Sequence, residues 1–118
     1  MDRAATGRAG ESLVAALLEE RGFSILERNA RVGRLELDVI AKRGTLLVFV
    51  EVRTRTSDLY GGAEETIDVA KQQRIRRAAA GWVKANPAYR RCRMRFDAAG
   101  VLLMRGKEPV VDYYPDAF

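Results

Sequence analysis

Residues 35–53, Leu35-Glu36-Leu37-Asp38-Val39-Ile40-Ala41-Lys42-Arg43-Gly44-Thr45-Leu46-Leu47-Val48-Phe49-Val50-Glu51-Val52-Arg53, read as two β-strands joined by a tight turn at Arg43-Gly44. The second strand is apolar on both faces, with Leu46, Val48, Val50 and Val52 on one and Leu47 and Phe49 on the other. Such a strand is central in its sheet and needs a covering layer on each side. Helices on both faces follow, which makes the fold class an α/β sandwich. The same stretch carries Glu36, Asp38, Glu51 and Arg53 inside segments otherwise composed for burial. Burying an ionised carboxylate costs several kcal/mol unless a counter-ion compensates. Either Arg53 neutralises the acids or a divalent cation does.

Strand periodicity places Glu36 and Asp38 on one face of the first strand, and Glu51, Arg53 and Arg55 on one face of the second. Paired strands lie about 4.8 Å apart, so Asp38 and Glu51 are expected to converge. At about 4 Å two carboxylates repel by roughly 4 kcal/mol at an effective dielectric of about 20, and a cation between them relieves this.

Outward from this centre, residues 7–21 form a first helix opening on Gly7-Arg8-Ala9-Gly10-Glu11-Ser12, and Gly22 stops it. Residues 23–27 read as a strand and Arg31-Val32-Gly33-Arg34 as a turn. Residues 54–64, with Gly61-Gly62, form a loop, followed by a helix over residues 66–85 that ends at Asn86-Pro87. Residues 91–98 and 101–105 alternate as strand segments around Ala99-Gly100, and residues 110–114 add an edge strand. No repeat, linker or low-complexity tract interrupts the chain, so residues 1–118 are expected to form one domain.

Composition narrows the chemistry. The chain has 118 residues, no histidine and one cysteine. Histidine-dependent triads, zinc-water sites and an intrachain disulfide are excluded, and any bound metal must be held by oxygen, which favours Mg2+ or Mn2+. Net charge is +5 with 21 Lys and Arg, mostly arginine. That suits bidentate phosphate contacts, although high genomic GC content gives the same bias. No apolar run approaches the roughly 20 residues of a membrane span, and the N-terminus lacks a signal-peptide pattern. A cytoplasmic protein with no membrane partner is expected.

Helical phase adds further candidates. Glu11 lies on the stripe of Val14 and Leu18 and leans toward the sheet, where it would complete an oxygen shell; alternatively it is a first-turn acid favoured by the helix dipole. Lys71 and Gln72 border the stripe of Ile75, Ala78 and Ala79, positioned to orient water or phosphate, or else simply to solvate a helix face. Arg31, Arg34 and Arg43 sit at turns beside the acids as phosphate-contact candidates, together with Arg8, Arg55 and Lys71. Tyr60 with Gly61-Gly62 reads as a turn or as a lip that stacks on a base. Arg93, Arg95 and Asp97 share a strand face and form a surface ion-pair ladder. Trp82 belongs to the core, and Cys92 is a small hydrophobe.

The pair Glu36-x-Asp38 and Glu51-Val52-Arg53 resembles the split signature of the PD-(D/E)xK nuclease superfamily. Across nearly the whole chain, Gly7-x-x-Gly10-Glu11, Arg28-Asn29, Glu36-x-Asp38-x-Ile40, Phe49-Val50-Glu51-Val52-Arg53-Thr54-Arg55, Tyr60-Gly61, Lys71-Gln72, Arg95-Phe96-Asp97 and Ala117-Phe118 resemble the YraN-like family of bacterial proteins. The resemblance implies a restriction-endonuclease-like three-layer sandwich, a mixed sheet flanked by helices in the order α-β-β-β-α-β-β. It further implies a metal held by Asp38, Glu51, the Val52 carbonyl and Glu11, with Arg53, Lys71 or Gln72 attending a phosphodiester of nucleic acid, DNA ahead of RNA and branched DNA among the substrates. Arg53 stands where the superfamily keeps a lysine. Arginine is planar and effectively never deprotonated, so it can clamp a phosphate but not act as a base. Two alternatives stay open: a catalytically silent nucleic-acid binder in which Arg53 pairs with Asp38 and Glu51, and an interaction scaffold. Resolvase-like relatives also suggest a homodimer, with residues 110–114 as an edge available for pairing.

Overall fold

The computed structural model describes residues 3–56 and 67–118. Helix α1 (Arg3–Glu20) leads into strands β1 (Ser24–Val32), β2 (Leu35–Arg43) and β3 (Leu46–Arg55); helix α2 (Val69–Ala85), a 3-10 turn (Pro87–Tyr89), β4 (Arg93–Leu102) and β5 (Val110–Tyr114) follow. The strands form one sheet in sequence order, β1-β2-β3-β4-β5. Every neighbouring pair is antiparallel except β3–β4.

Local chemistry explains the connections. Two-residue loops close the first two hairpins, each beginning with a glycine in the left-handed region, Gly33 at φ 62° and Gly44 at φ 60°. A non-glycine residue pays steric energy there, and this is the glycine position of a tight hairpin turn. The parallel pair β3–β4 requires a crossover, which α2 supplies. Asp68 caps that helix: its carboxylate accepts from the Lys71 amide at 2.7 Å.

The doubly apolar β3 is buried from both sides, as its composition requires. Val48 and Val50 pack with Val14 and Leu18 of α1, whereas Leu47 and Phe49 pack with Ile75, Ala78, Ala79 and Trp82 of α2. Trp82 is a core residue with one polar duty, donating its indole N–H to Glu27 Oε1 of β1 at 2.9 Å. A buried Trp N–H needs such a partner.

Three elements depart from the sequence expectation. Helix α1 starts four residues before Gly7, so Glu11 lies in mid-helix and the helix-dipole explanation for it does not apply. Strand β1 continues through the polar run Arg28-Asn29-Ala30-Arg31 to Val32. As an edge strand it exposes one side to solvent, and polar residues there cost little. The expected break at Ala99-Gly100 is absent: β4 is one strand, with Gly100 in register with Arg53 on one side and Asp112 on the other. Pairing along both edges outweighs the turn tendency of a single glycine.

Arg93, Arg95 and Asp97 do not form a surface ladder. Asp97 is fully buried. It accepts two hydrogen bonds from Arg95, both at 2.9 Å, one from the Tyr113 hydroxyl and one from the Asp116 amide at 2.9 Å. Burial, then the Asp97 contact, holds the Tyr113 phenol above its usual range. With the Ala117 amide on the Phe96 carbonyl and the Phe118 ring against Phe96, this carboxylate fastens the C-terminal segment to β4.

Close approach of α1 to β3 depends on Gly10. A Cβ there would sit 1.9 Å from Thr54 Oγ1 and 3.0 Å from Thr54 Cβ. Alanine gains about 1 kcal/mol of helix propensity over glycine, but relieving the overlap costs roughly 1–3 kcal/mol. Gly10→Ala is therefore expected to lower the melting temperature, with Thr54→Ala restoring part of the loss in the double variant. A Gly10→Ala protein as stable as wild type would show that the helix is free to move off the strand.

Candidate active site

Beyond the paired part of the hairpin, β2 loses its strict alternation. Leu37 and Ile40, three positions apart, both pack on the α2 side, while Val39 and Ala41 pack on the α1 side. The slip falls at Asp38. Its β1 neighbour Asn29 has φ 54°, and neither residue belongs to the ladder that runs through Arg28–Val39 and Ala30–Leu37. Glu36 and Asp38 are thereby separated in role. Glu36 turns to Arg31 across the hairpin at 3.9 Å, whereas Asp38 turns to β3.

There Asp38 Oδ2 accepts the Val52 amide at 2.8 Å. Val52 thus meets the acid through its N–H. The Asp38 carboxyl also lies within hydrogen-bonding reach of Glu51. The expected convergence of the two core acids holds. Burial first, and the Glu51 charge second, push the Asp38 pKa from an ordinary 3.8 up to about 8. Burial and the neighbouring charge thus favour the protonated form of Asp38 near neutral pH.

Glu51 is neutralised from α2. Lys71 Nζ lies 2.7 Å from Glu51 Oε1, at the point where the first turn of α2 passes the end of β3. Gln72 faces another way and donates to the Ile67 carbonyl at 2.8 Å, tying down the chain that enters α2. Arg53 is half-buried two residues beyond Glu51, in register with Gly100 of β4.

Glu11 approaches from α1 and is 9% exposed, so it does lean into the sheet. Desolvation raises its pKa, opposed by a hydrogen bond from Asn29 and by the Arg28 charge. Arg28 Nη2 lies 3.8 Å from Glu11 Oε1, which is buried without a hydrogen bond among the described residues. The same guanidinium donates to Ser12 Oγ at 3.0 Å and to the Arg8 carbonyl at 3.3 Å. These roles of Arg28 and Asn29 were not deduced from the sequence; an Arg-Asn pair amid a strand-like run was the signal for them. An open cleft of about 410 Å³ lies between α1 and β3, lined by Thr6, Gly7, Glu11, Val52, Thr54 and Thr56.

Among the described residues no three acidic side chains meet closely enough to hold a metal ion in this arrangement. The grouping is a tight pair with Glu11 beside it. Arg31, Arg34 and Arg43 do not cluster. Arg31 precedes the β1–β2 turn and Arg34 lies in it, whereas Arg43 ends β2, roughly 26 Å away at 3.3 Å per residue. There Arg43 donates to the Arg21 carbonyl at 2.9 Å and covers the Phe23 ring. Arg8 is exposed on α1, and Arg55 ends β3. Tyr60, Gly61 and Gly62 lie outside the described residues.

A shifted acid makes stability depend on pH. The folded-state pKa of Asp38 exceeds the unfolded one, so its proton favours the folded chain fully below about pH 4, and that contribution is lost as pH rises through about 8. Asp38→Asn keeps an oxygen for the Val52 amide and removes the charge. It is expected to stabilise the metal-free protein at pH 9 by roughly 2 kcal/mol, taking about 1.4 kcal/mol per pKa unit as the ceiling, and to flatten its melting temperature between pH 4 and 9. Parallel curves for variant and wild type would refute the buried acid pair.

Helices on both faces of a mixed sheet, in the element order α-β-β-β-α-β-β, are the three-layer arrangement expected from the sequence. Two solved structures have a related layout at low identity. Hjc of Archaeoglobus fulgidus, a Holliday junction resolvase, aligns at 14% identity over 92% of this chain and 75% of that chain with a TM-score of 0.49. Pyrococcus furiosus SfsA, solved in complex with Ca2+, aligns at 15% identity over 97% and 64% with a TM-score of 0.44. Sequence relatives are nearer. A UPF0102 protein of Anaeromyxobacter dehalogenans is 47% identical over 98% of this chain and 85% of its own length. UPF0102 proteins of Trichlorobacter lovleyi (97% and 90% covered) and Rhodococcus opacus (97% and 96%) are each 40% identical. The profile of the uncharacterised protein family UPF0102 matches residues 10–101, and the chain belongs to that family.

Proposed function

We propose that this chain is a divalent-metal-dependent phosphodiesterase acting on nucleic acid, DNA ahead of RNA. The observation that carries the reading is the meeting of Asp38 with Glu51 where β3 runs beyond its pairing with β2, with Lys71 Nζ 2.7 Å from Glu51. Two carboxyls this close, one of them pushed toward its neutral form, make a site that gains by taking up a cation. Oxygen is the only donor type present, which fits Mg2+ or Mn2+. Asp38 and Glu51 would hold the ion, with the Val52 carbonyl and the Glu11 oxygen that lacks a hydrogen bond as supplementary donors. When bound, such an ion polarises a scissile phosphate and lowers the pKa of an attacking water.

The chain's own residues then divide the remaining work. Lys71 is a compact ammonium whose contact with Glu51 positions it to stabilise negative charge developing on a phosphate. This offsets the arginine at position 53, which acts as a phosphate clamp. The Val52 amide fixes the orientation of Asp38, and Arg28 with Asn29 does the same for Glu11. A silent binder is the second reading, favoured by the fact that Lys71 already neutralises Glu51.

Calorimetric titration with Mg2+ and Mn2+ separates the two. Wild type is expected to bind, Asp38→Asn and Glu51→Gln to lose the heat, and Lys71→Met to retain or strengthen it because a competing ammonium has gone. Nicking of duplex, branched or single-stranded DNA should fall roughly 10²-fold in Lys71→Met. Absence of metal binding and of metal-dependent cleavage in wild type would overturn the enzyme reading and leave the binder.

A further inference from the structure

Charge is distributed unevenly along this chain. Val69–Arg95 holds nine cationic side chains and no carboxylate, leaving twelve cations against all sixteen acids elsewhere. The cationic block is α2, the 3-10 turn and the first strand residues after it. Within α2, Ile75, Ala78, Ala79 and Trp82 face the sheet. At 100° per residue the opposite meridian carries Arg77 and Lys84, two turns apart, with Arg74 and Arg76 on either flank. All four are exposed.

A solvated helix face ordinarily alternates charge sign at i,i+4 spacing, which stabilises the helix. This one has none of that pairing. Among the described residues no carboxylate contacts Arg74, Arg77 or Lys84, and Arg74 and Arg77 are like charges at i,i+3. Arg76 is already oriented by the Phe96 ring, with its guanidinium carbon 4.6 Å from the ring centroid. Such a surface costs the isolated protein a little and favours a polyanion.

The topology gives the surface a direction. In the β3–α2–β4 crossover, α2 begins at the end of β3 that holds Glu51, where Lys71 reaches it, and returns toward the opposite end, where Arg93 pairs in register with Leu46. We propose that the outer face of α2 from Arg74 to Lys84 is the track on which a nucleic-acid phosphate backbone lies, leading it to the Asp38–Glu51 pair. The proposal rests on the phosphodiesterase reading and names its substrate-binding surface. Ten residues of helix cover about 15 Å, the axial length of roughly four phosphates of one duplex strand at about 3.4 Å each.

The test uses the full chain and a fluorescein-labelled DNA duplex, with affinity measured by anisotropy over a series of salt concentrations. Neutralising the track in R74Q/R77Q/K84Q is expected to weaken binding at least tenfold at low salt and to reduce the slope of log K against log salt by about 3. The melting temperature and the metal heat should be unchanged. R21Q/R105Q/K107Q removes the same charge from other surfaces and should bind within twofold of wild type. If the track variant binds with wild-type affinity and slope, the track is refuted while the metal site stands. Equal weakening in both triple variants would also refute it, because net charge alone would then be responsible. Failure of the wild-type protein to bind the duplex overturns it too, and the metal titration reports separately on the active-site reading.

Discussion

Two carboxyl groups held against each other on the inner strands of an apolar sheet are the constraint around which this protein is arranged. Asp38 and Glu51 sit on neighbouring strands whose other positions, Val39, Ile40, Phe49 and Val50, are buried. Little water reaches them, so Asp38 is pushed toward its neutral form and accepts the Val52 amide, while Lys71 pairs with Glu51. The amide belongs to β3 and the ammonium to α2, while Glu11 of α1 adds a further like charge nearby. Loss of register in any one would leave a charge uncompensated, so the site and the packing of the layers are one problem.

The surrounding fold fixes those elements with a few specific contacts. Gly10 lets α1 lie directly on Thr54, which brings Glu11 within electrostatic range of Glu51 and leaves the threonine-lined cleft between helix and strand. Asp97 performs a comparable task at the other side of the sheet, where one buried carboxylate collects Arg95, Tyr113 and the Asp116 amide. That network secures β5 and the C-terminal residues to β4, the strand that pairs with β3 from Leu46 to Arg55. A central strand with both neighbours in place is stiff, and a stiff strand is what an acid pair needs to avoid drifting apart.

Much of this was legible in residues 35–53. The doubly apolar β3 specified a covered central strand, and the positions of Asp38 and Glu51 specified their meeting. Strand alternation could not reveal the slip at Asp38, because it depends on Asn29 adopting φ 54° in a different strand. Nor could it separate Glu36 from Asp38, which share a face only if the period of two is unbroken. The single β4 was hidden for a related reason: Ala99-Gly100 looks like a turn locally, and its neighbours in space, Val52, Arg53 and Asp112, are far away in sequence. Asp97 looked like a surface residue because alternating Arg and Asp is typical of an exposed face; its burial follows from the C-terminal segment folding over it.

The arginine at position 53 is best understood together with Lys71. A strand residue beside two acids has to satisfy a fixed direction, and a guanidinium with five donors does this while keeping its charge at any accessible pH. A compact ammonium is better suited to a crowded anionic centre, but it has to arrive on a flexible stem from a distance. Helix α2 provides that distance, because the turn after its Asp68 cap passes directly over Glu51. Separating the two cations between strand and helix frees the motif from needing a lysine at position 53. It also links the chemistry to a helix that carries five cations and no carboxylate, so the element that neutralises Glu51 is the same one whose outer face is suited to a polyanion.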